Sequence, residues 1–588
     1  MTLSTAARSW SSVIAIALLS AGFTARADDD TPRGPTRYND ATIAQLQAEM
    51  AAGKLSSEEL TRFYLARIAA LDQGPFGVNS VIELNPDALV IARQTDALRR
   101  QGQVLGPLHG IPVLLKDNIG TGDRMQTTAG SLGLAGQPAA GDSTVAARLR
   151  AGGAVILGKT NLSEWANFRS SYSTSGWSGR GGQTNNPYGI NRNPCGSSSG
   201  SGAAATSNFA TVALATETDG SIVCPAAVNG VVGIKPTVGL TSRAGVVPLS
   251  STQDTIGSHG RTVADAAAVL SVIQSRSFDG RDAATGGVPL GWRGRPRPAN
   301  IPTDYTAFLN PRGLFGARLG ITRQGVDNAP PPVVAAWEAA VAQLRAAGAI
   351  LFDLDAQGFA FPPANGEFLV LLFDFRRDLS GYLATRSGVP LGGKTLADAI
   401  AFNNANAAAE MPFFGQDIFE SAQSLAPGVN DPQPAFGGLS YNQALEIDRL
   451  AGVNGVDKAL AMYQLDAIVA PTDTPAWVTD LLLSDNFKFA SSGLAAPAGY
   501  PIVQVPAAMV FGLPFGISFI GTAFSEPELI KLASGFEALT QVRKSNPPTF
   551  APVTPSNNLN GTTLIPPRGA GGPRRPKGDD PGERPRRL

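Results

Sequence analysis

Short apolar runs alternate along the middle of the chain with stretches in which apolar residues recur every three or four positions. The runs have the length of buried strands and lie at 111–115, 154–157 and 467–470. The periodic stretches predict amphipathic helices at 143–150 and 333–347. This alternation predicts an α/β fold in which helices cover both faces of a sheet.

A helical pair is predicted near the start of this region, over residues 42–70. Ser56 and Glu59 have the spacing of a capping box, in which each side chain accepts a hydrogen bond from the other residue's backbone. The second helix of the pair is therefore expected to begin directly after Ser56.

The first 27 residues have the pattern of an export signal. Arg8 precedes an unbroken apolar run at 13–19, and Ala25-Arg26-Ala27 is a small-x-small cleavage pattern. The run is too short to span a membrane. We expect a signal peptide at 1–27, cleaved after Ala27, then a linker at 28–37, and hence a periplasmic or secreted protein without a stable membrane anchor. A short anchor helix and a misassigned start codon are the alternatives.

The C-terminal residues differ in composition from the rest of the chain. Residues 551–588 are rich in Pro, Gly and Arg and lack apolar periodicity, so they are expected to form a disordered tail after a domain at 38–550. With 43% hydrophobic and 16% charged residues, the 588-residue chain can bury a large core. Its net charge of zero gives no indication of a nucleic-acid partner.

Cysteine and histidine are scarce. Two residues of each exclude a disulfide scaffold and argue against a multi-cysteine or histidine-rich metal centre, so we expect neither a metal nor a cofactor. A Ser-His-Asp triad would require His109 or His259. Neither histidine has a carboxylate partner nearby in the sequence, so structural roles are the better interpretation of both.

Two serines beside glycines are candidates for nucleophilic chemistry. Ser197 lies in the Gly/Ser block 195–202, and Ser221 follows it by 24 residues. Such runs are usually loops or linkers. A flexible linker is not expected between apolar segments, whereas a tight glycine-containing turn that exposes Ser221 would align backbone N–H groups as an oxyanion hole.

Lys116 ends the apolar run 111–115. A lysine at a strand end is usually solvated. If Lys116 is buried instead, desolvation lowers its pKa, and the neutral amine can replace histidine as the general base that activates a serine.

Taken together, these segments resemble the amidase signature family, and within it the bacterial peptide amidases. The resemblance covers about residues 38–550 and rests mainly on 107–118, 156–165, 182–202 and 215–239. It implies a Ser–cis-Ser–Lys triad with Ser221 as nucleophile, Ser197 as relay after a cis peptide bond, and Lys116 as base. It also implies an oxyanion hole formed by the backbone N–H groups of Thr218, Asp219, Gly220 and Ser221.

The family fold implied by the resemblance is one large domain with an open, twisted, mixed and largely parallel sheet. The chain departs from the common family pattern at Ser258-His259, where Pro-Met-like residues are common, and at two positions beside the candidate serines. Asp219 precedes Gly220 where many relatives have two glycines, and Cys195 replaces a glycine. Because Cys195 and Cys224 flank the two serines, they either pair in an exported protein or remain buried thiols; the sequence leaves both possibilities open.

The resemblance also indicates what the site would bind. The loop at 170–182 borders the acyl side, so Ser171, Tyr172 and Trp177 are expected to contact substrate, and Arg180 to pair with a carboxylate or face water. The implied function is that of an exported amidase, which hydrolyses C-terminal peptide amides or amino-acid amides with water. The protein is expected to be a monomer or a homodimer. The alternatives are an amidase of small aliphatic or aromatic amides, an amidotransferase A-type subunit that supplies ammonia, and an inactive binding protein. Retention of all three triad residues argues against the last.

Overall fold

An eleven-stranded sheet and a separate two-stranded ribbon form the framework of the protein. The computed structural model describes residues 36–74, 76–286 and 297–553. The predicted signal peptide, residues 28–35 of the linker and residues 554–588 of the tail lie outside the described residues. The last described residue, Val553, is hydrogen-bonded through its backbone N–H and carbonyl groups to Asn191.

The strands are β1 (Val81–Leu84), β2 (Pro112–Lys116), β3 (Val155–Thr160), β4 (Trp177–Ser178), β5 (Gly182–Gln183), β6 (Val212–Glu217), β7 (Val232–Lys235), β8 (Thr255–Gly260), β9 (Arg318–Ile321), β10 (Ile350–Asp353), β11 (Ala467–Pro471), β12 (Ile502–Val510) and β13 (Leu513–Ile520). The α-helices are α1 (Ile43–Ala51), α2 (Ser57–Leu71), α3 (Ala88–Arg100), α4 (Thr144–Ala151), α5 (Ser199–Thr206), α6 (Val223–Val228), α7 (Val263–Ile273), α8 (Pro331–Ala346), α9 (Glu367–Leu383), α10 (Leu396–Ala405), α11 (Ala407–Glu410), α12 (Asp417–Ser424), α13 (Tyr441–Gly452), α14 (Lys458–Tyr463), α15 (Glu526–Thr540) and α16 (Val542–Ser545).

The large sheet is mixed, as predicted, with the strand order β1-β3-β2-β6-β8-β7-β12-β13-β11-β9-β10. Parallel pairing occurs in two groups, β3–β2–β6 and β11–β9–β10. The six other neighbouring pairs are antiparallel. The expectation of a largely parallel sheet therefore holds for these two groups and is corrected between them, where β8, β7, β12 and β13 alternate in direction.

The elements predicted from apolar patterning are confirmed. The three apolar runs form β2, β3 and β11, and the two periodic stretches form α4 and α8. Helix α2 begins after Ser56, whose hydroxyl accepts from the Glu59 N–H while the Glu59 side chain accepts from the Ser56 N–H. The apolar pattern predicted these elements correctly because their apolar faces are buried in the fold.

Helices cover both faces of the sheet around its β2–β6–β8 region. Every residue of these three strands is buried, so each face must be covered. All described residues fall in one compact unit. None of the helices in the described ranges has the length and apolar character needed to cross a membrane.

The topology brings the candidate residues to one edge of the sheet. Strands β2 and β6 are parallel neighbours, so Lys116 at the end of β2 and Thr216 near the end of β6 lie at the same edge. The Gly/Ser block leads into α5, which packs on β2, β3 and β6. Residues from three distant segments of the chain therefore meet at the carboxyl ends of these strands.

Candidate active site

The amine of Lys116 is fully buried beneath the two candidate serines. Its Nζ lies 2.8 Å from Ser197 Oγ and 2.9 Å from Thr216 Oγ1. Burial lowers the pKa of Lys116 from 10.5 to about 7, and the negative charges of Asp254 and Glu217 offset that effect only in part. A substantial fraction of the amine is therefore neutral at pH 7 and can accept a proton.

Thr216 holds the lysine in place. Its carbonyl oxygen accepts from Lys116 Nζ at 3.2 Å and from Ser198 Oγ at 2.9 Å, and its hydroxyl oxygen accepts from Asn118 Nδ2 at 2.9 Å. Of the groups that contact Lys116 Nζ, Ser197 Oγ is the one that also contacts Ser221.

Ser197 lies between the lysine and the second serine. The Gly196–Ser197 peptide bond is cis, and Ser197 Oγ lies 3.0 Å from Ser221 Oγ. Only glycine fits at position 196, since a Cβ there would lie 2.2 Å from Ser163 Oγ. Because a hydroxyl both donates and accepts, the chain Ser221–Ser197–Lys116 can pass a proton from the outer oxygen to the inner nitrogen.

The turn after β6 presents Ser221 to a cavity. Gly220 has a φ of 78°, in the left-handed region that favours glycine. The buried carboxylate of Glu217 accepts from the N–H groups of Ile222 at 2.6 Å and Val223 at 2.9 Å, which fixes the turn behind Ser221.

The predicted oxyanion-hole residues all line that cavity: Thr218, Asp219, Gly220 and Ser221. Within the described part of the chain, none of their four backbone N–H groups donates to a protein acceptor. The Asp219 carboxylate is engaged by the hydroxyl of Ser492. The turn can therefore offer main-chain donors to an oxyanion.

A disulfide bond joins the two serine-bearing segments. Cys195 and Cys224 are paired, with a Cα–Cα distance of 6.0 Å. Cys195 lies two residues before Ser197, and Cys224 lies three residues after Ser221. The structure thus decides a pairing that the sequence left open, and both cysteines line the cavity.

The two histidines have structural contacts. His109 Nε2 lies 3.0 Å from the Thr95 carbonyl oxygen, and His259 Nε2 lies 2.8 Å from the Ile222 carbonyl oxygen. Burial lowers the pKa of His259 from 6.5 to about 4. Neither ring contacts Ser197 or Ser221, in keeping with the structural roles expected from the sequence.

The cavity beside Ser221 has a volume of about 480 Å³. Four serines of the predicted acyl-side loop, including Ser171, line one wall, and Leu249, Leu371 and Ile418 supply apolar surface. Ser171 donates through its hydroxyl to Asp417 Oδ2 at 2.5 Å, which orients this part of the loop. Ser171 therefore lies where the sequence predicted a substrate contact.

Two expectations for the same loop need correction. Trp177 is buried away from the cavity, edge-on to Phe413 and Phe414. Tyr172 is 65% exposed and does not line the cavity. For Arg180, the first of the two expected outcomes is confirmed: its side chain points back toward β1 and β2 and forms ion pairs with the carboxylates of Glu83 and Asp117.

The cavity is lined instead by two other aromatic residues, Trp477 and Phe487. The sequence reasoning did not identify either of them. Their rings are 6.2 Å apart, and Trp477 Nε1 donates to Asp485 Oδ1 at 3.2 Å. No sequence signal connects this segment with Ser221, since more than 250 positions separate them. Only the fold places the loop after β11 against the disulfide-linked segments.

Comparison with known proteins gives a consistent result over nearly the whole described chain. The sequence model of the family named Amidase matches residues 59–530. A probable amidase of Arabidopsis thaliana is 40% identical over 520 residues, which cover 87% of this chain and 92% of the relative.

Two further relatives have more specific names. The crystal structure of the native peptide amidase from Stenotrophomonas maltophilia is similar with a TM-score of 0.78 and 47% identity, covering 88% of this chain and 100% of that one. The A-type subunit of the glutamyl-tRNA(Gln) amidotransferase from Chloroflexus aurantiacus is 34% identical over 521 residues, covering 87% of this chain and 99% of that relative.

Proposed function

This chain belongs to the amidase signature family of amidohydrolases, and on that premise we propose that it hydrolyses carboxamides to the carboxylic acid and ammonia through an acyl-enzyme on Ser221. The observation that carries the proposal is the continuous contact from Ser221 Oγ through Ser197 Oγ to the buried Lys116 Nζ, at 3.0 and 2.8 Å. Its inner member is an amine whose pKa is about 7.

In the acylation step, Ser221 Oγ attacks the amide carbonyl carbon. The Ser221 proton passes to Ser197 Oγ as the Ser197 proton passes to neutral Lys116 Nζ. The negative oxygen of the tetrahedral intermediate accepts hydrogen bonds from the backbone N–H groups of residues 218–221. When the C–N bond breaks, Lys116 returns a proton through Ser197 to the leaving nitrogen, which departs as ammonia.

Deacylation repeats the same route with water. A water molecule attacks the acyl carbon and transfers its proton through Ser197 to Lys116. When the ester bond breaks, the proton returns to Ser221 Oγ, and the carboxylic acid is released. No other acid or base is needed in this scheme, which agrees with the absence of histidine contacts to either serine in the described chain.

We propose C-terminal peptide amides or amino-acid amides as substrates. This specificity is supported by 47% identity to the Stenotrophomonas peptide amidase over all of that chain. It is also supported by a cavity large enough for an amino-acid residue and by the Trp477 and Phe487 walls, which suit a side chain of the substrate. The amidotransferase A-type function is the second candidate, since the Chloroflexus relative is similar over nearly its whole length.

We further propose that the protein is exported and cleaved after Ala27. The Cys195–Cys224 bond supports this location, because disulfides form and persist in oxidising compartments. Export also favours the amidase over the amidotransferase, which would need cytoplasmic partner subunits. We propose a monomer or a homodimer, with no nucleic-acid partner.

The test is release of ammonia from a panel of peptide amides, amino-acid amides and simple aliphatic and aromatic amides. Wild-type protein should release ammonia from the first two classes, and Ser221→Ala should release none, while Ser199→Ala serves as a serine control outside the relay. Failure of the wild type on every amide would contradict the proposed function. Activity confined to the simple amides would favour the alternative amidase specificity.

A further inference from the structure

The charged side chains that line the cavity beside Ser221 are all acidic. They belong to Asp219, Asp473 and Asp485. Among the described residues that line this cavity, none is lysine, arginine or histidine. The cavity therefore presents carboxyl groups and no basic side chain to whatever enters it.

Asp485 is well supplied with hydrogen-bond donors from the protein itself. Its carboxylate accepts from the backbone N–H and hydroxyl groups of Ser175, from Asn193 Nδ2 at 3.2 Å and from Trp477 Nε1 at 3.2 Å. Four neutral donors occupy this carboxylate, which acts as a support for the cavity wall.

Asp473 and Asp219 have fewer donors. Asp473 is only 5% exposed and accepts from the Thr474 N–H at 2.8 Å, while its side chain lines the cavity. Asp219 accepts from the Ser492 hydroxyl, and its Oδ1 is a buried atom without a hydrogen-bond partner in the described ranges. Burial raises the pKa of both carboxyls, and the charge of Asp219 raises that of Asp473 further.

The cation that acts on Asp219 is already shared. Lys235 Nζ donates to the Tyr500 carbonyl oxygen at 2.6 Å, and its charge also acts on the buried Glu217 and Glu526. One ammonium thus serves several carboxylates. Two acidic groups of the cavity remain short of positive charge, a condition that a cationic ligand group would relieve.

We propose that Asp219 and Asp473 form a subsite for a positively charged group on the acyl part of the substrate. The inference rests on the proposed amidase function and specifies its substrate class. Asp219 lies two residues before Ser221, and a carboxylate oxygen of Asp473 lies within 4.8 Å of both sulfur atoms of the Cys195–Cys224 bond. The cation is therefore attached close to the scissile amide, as an α-ammonium group or as the end of a basic side chain.

Matched pairs of amides separate these two sources of charge. Leucinamide against N-acetyl-leucinamide tests the α-ammonium group, and N-acetyl-lysinamide against N-acetyl-norleucinamide tests the basic side chain. In at least one pair, kcat/KM of the wild type should be about tenfold or more higher for the cationic member. Two ratios near one, or ratios that favour the neutral member, would overturn the inference.

The same ratios in variants identify the residues. In Asp473→Asn the preferred ratio should fall toward one, and Glu420→Gln, which removes an exposed charge from α12, should keep the wild-type ratio. Because each ratio is taken within one preparation, the folded fraction cancels. If Asp473→Asn does not fold, Asp219→Asn gives the same comparison, and an unchanged ratio there counts against the subsite. Hydrolysis of all four amides without preference would refute this inference alone, whereas the proposed function would be refuted only if the wild type also failed on the peptide amides and simple amides of the panel.

Discussion

The Nζ atom of Lys116 lies 2.8 Å from the Oγ atom of Ser197, although 81 positions separate the two residues in the chain. The contact is formed in the interior at the carboxyl end of β2, where water does not reach the amine. An ammonium in that position would lose its hydration, so the neutral form is favoured. The contact thus joins a hydroxyl group to a base that is available near neutral pH.

The first prediction is an acid limb in the pH profile that belongs to Lys116. The folded-state pKa is lowered from 10.5 to about 7, so protonation below that pH removes the base and kcat/KM should rise as pH increases through about 7. Lys116→Ala should reduce kcat/KM by about 10²–10⁴-fold. Both are measured by ammonia release across a pH series.

The control for this profile is the double variant His109→Gln with His259→Gln. Burial lowers the pKa of both histidines, that of His259 to about 4, so neither should produce a limb near pH 7. Loss of the limb in the double variant, or near-normal turnover of an unactivated amide by Lys116→Ala, would contradict the relay.

The second prediction concerns the nucleophile. A fluorophosphonate should label the wild type at Ser221, because this serine combines the relay contact with access to the cavity, whereas Ser198 and Ser199 are fully buried. Peptide mapping by mass spectrometry locates the adduct. Modification of Ser198 or Ser199 in place of Ser221 would show that the nucleophile is assigned incorrectly.

The third prediction separates two exposed aromatic residues. Phe487 lines the cavity at 56% exposure, and Tyr172 is 65% exposed outside it. Phe487→Ala should raise KM for peptide amides without a comparable loss of stability, while Tyr172→Ala should leave KM unchanged. Steady-state kinetics with one peptide amide decides between them, and the reverse result would restore the sequence-based assignment of Tyr172.

The fourth prediction is a contribution of the disulfide to stability. Because Cys195 and Cys224 are 29 positions apart, closing this loop should stabilise the folded state by about 3–4 kcal/mol. Denaturant unfolding of Cys195→Ser with Cys224→Ser should show this loss, and reductant should affect the wild type but not the double variant. Two titratable thiols in the exported wild type would be inconsistent with the bond.

The fifth prediction is processing of the N-terminus. If residues 1–27 act as a signal peptide, exported protein should begin at Asp28. N-terminal sequencing of periplasmic or secreted material measures this directly. An uncleaved protein in the cytoplasm would reject export and make the amidotransferase alternative the stronger one.

The local sequence was sufficient to predict strands and helix ends where these depend only on residues close together in the chain. The apolar runs of β2, β3 and β11 had to be buried, and Ser56 with Glu59 had to cap α2, since these preferences depend on neighbours within a few residues. The motifs around Lys116, Ser197 and Ser221 identified the three groups that the structure brings together. The order of these motifs along the chain was enough to identify the three groups, although it does not give the distances between them.

Only the tertiary structure decided which side chains face the cavity and whether the two cysteines form a disulfide bond. Trp177 lies in the short strand β4 and Trp477 in the loop after β11, yet the first packs against Phe413 and Phe414 and the second lines the cavity. Similarly, Cys195 and Cys224 bond because the turn after β6 lies against the segment before α5. The direction of a side chain and the contacts between distant segments depend on the order of the strands within the sheet. That order is set by packing over the whole domain, so it cannot be predicted from a local sequence pattern.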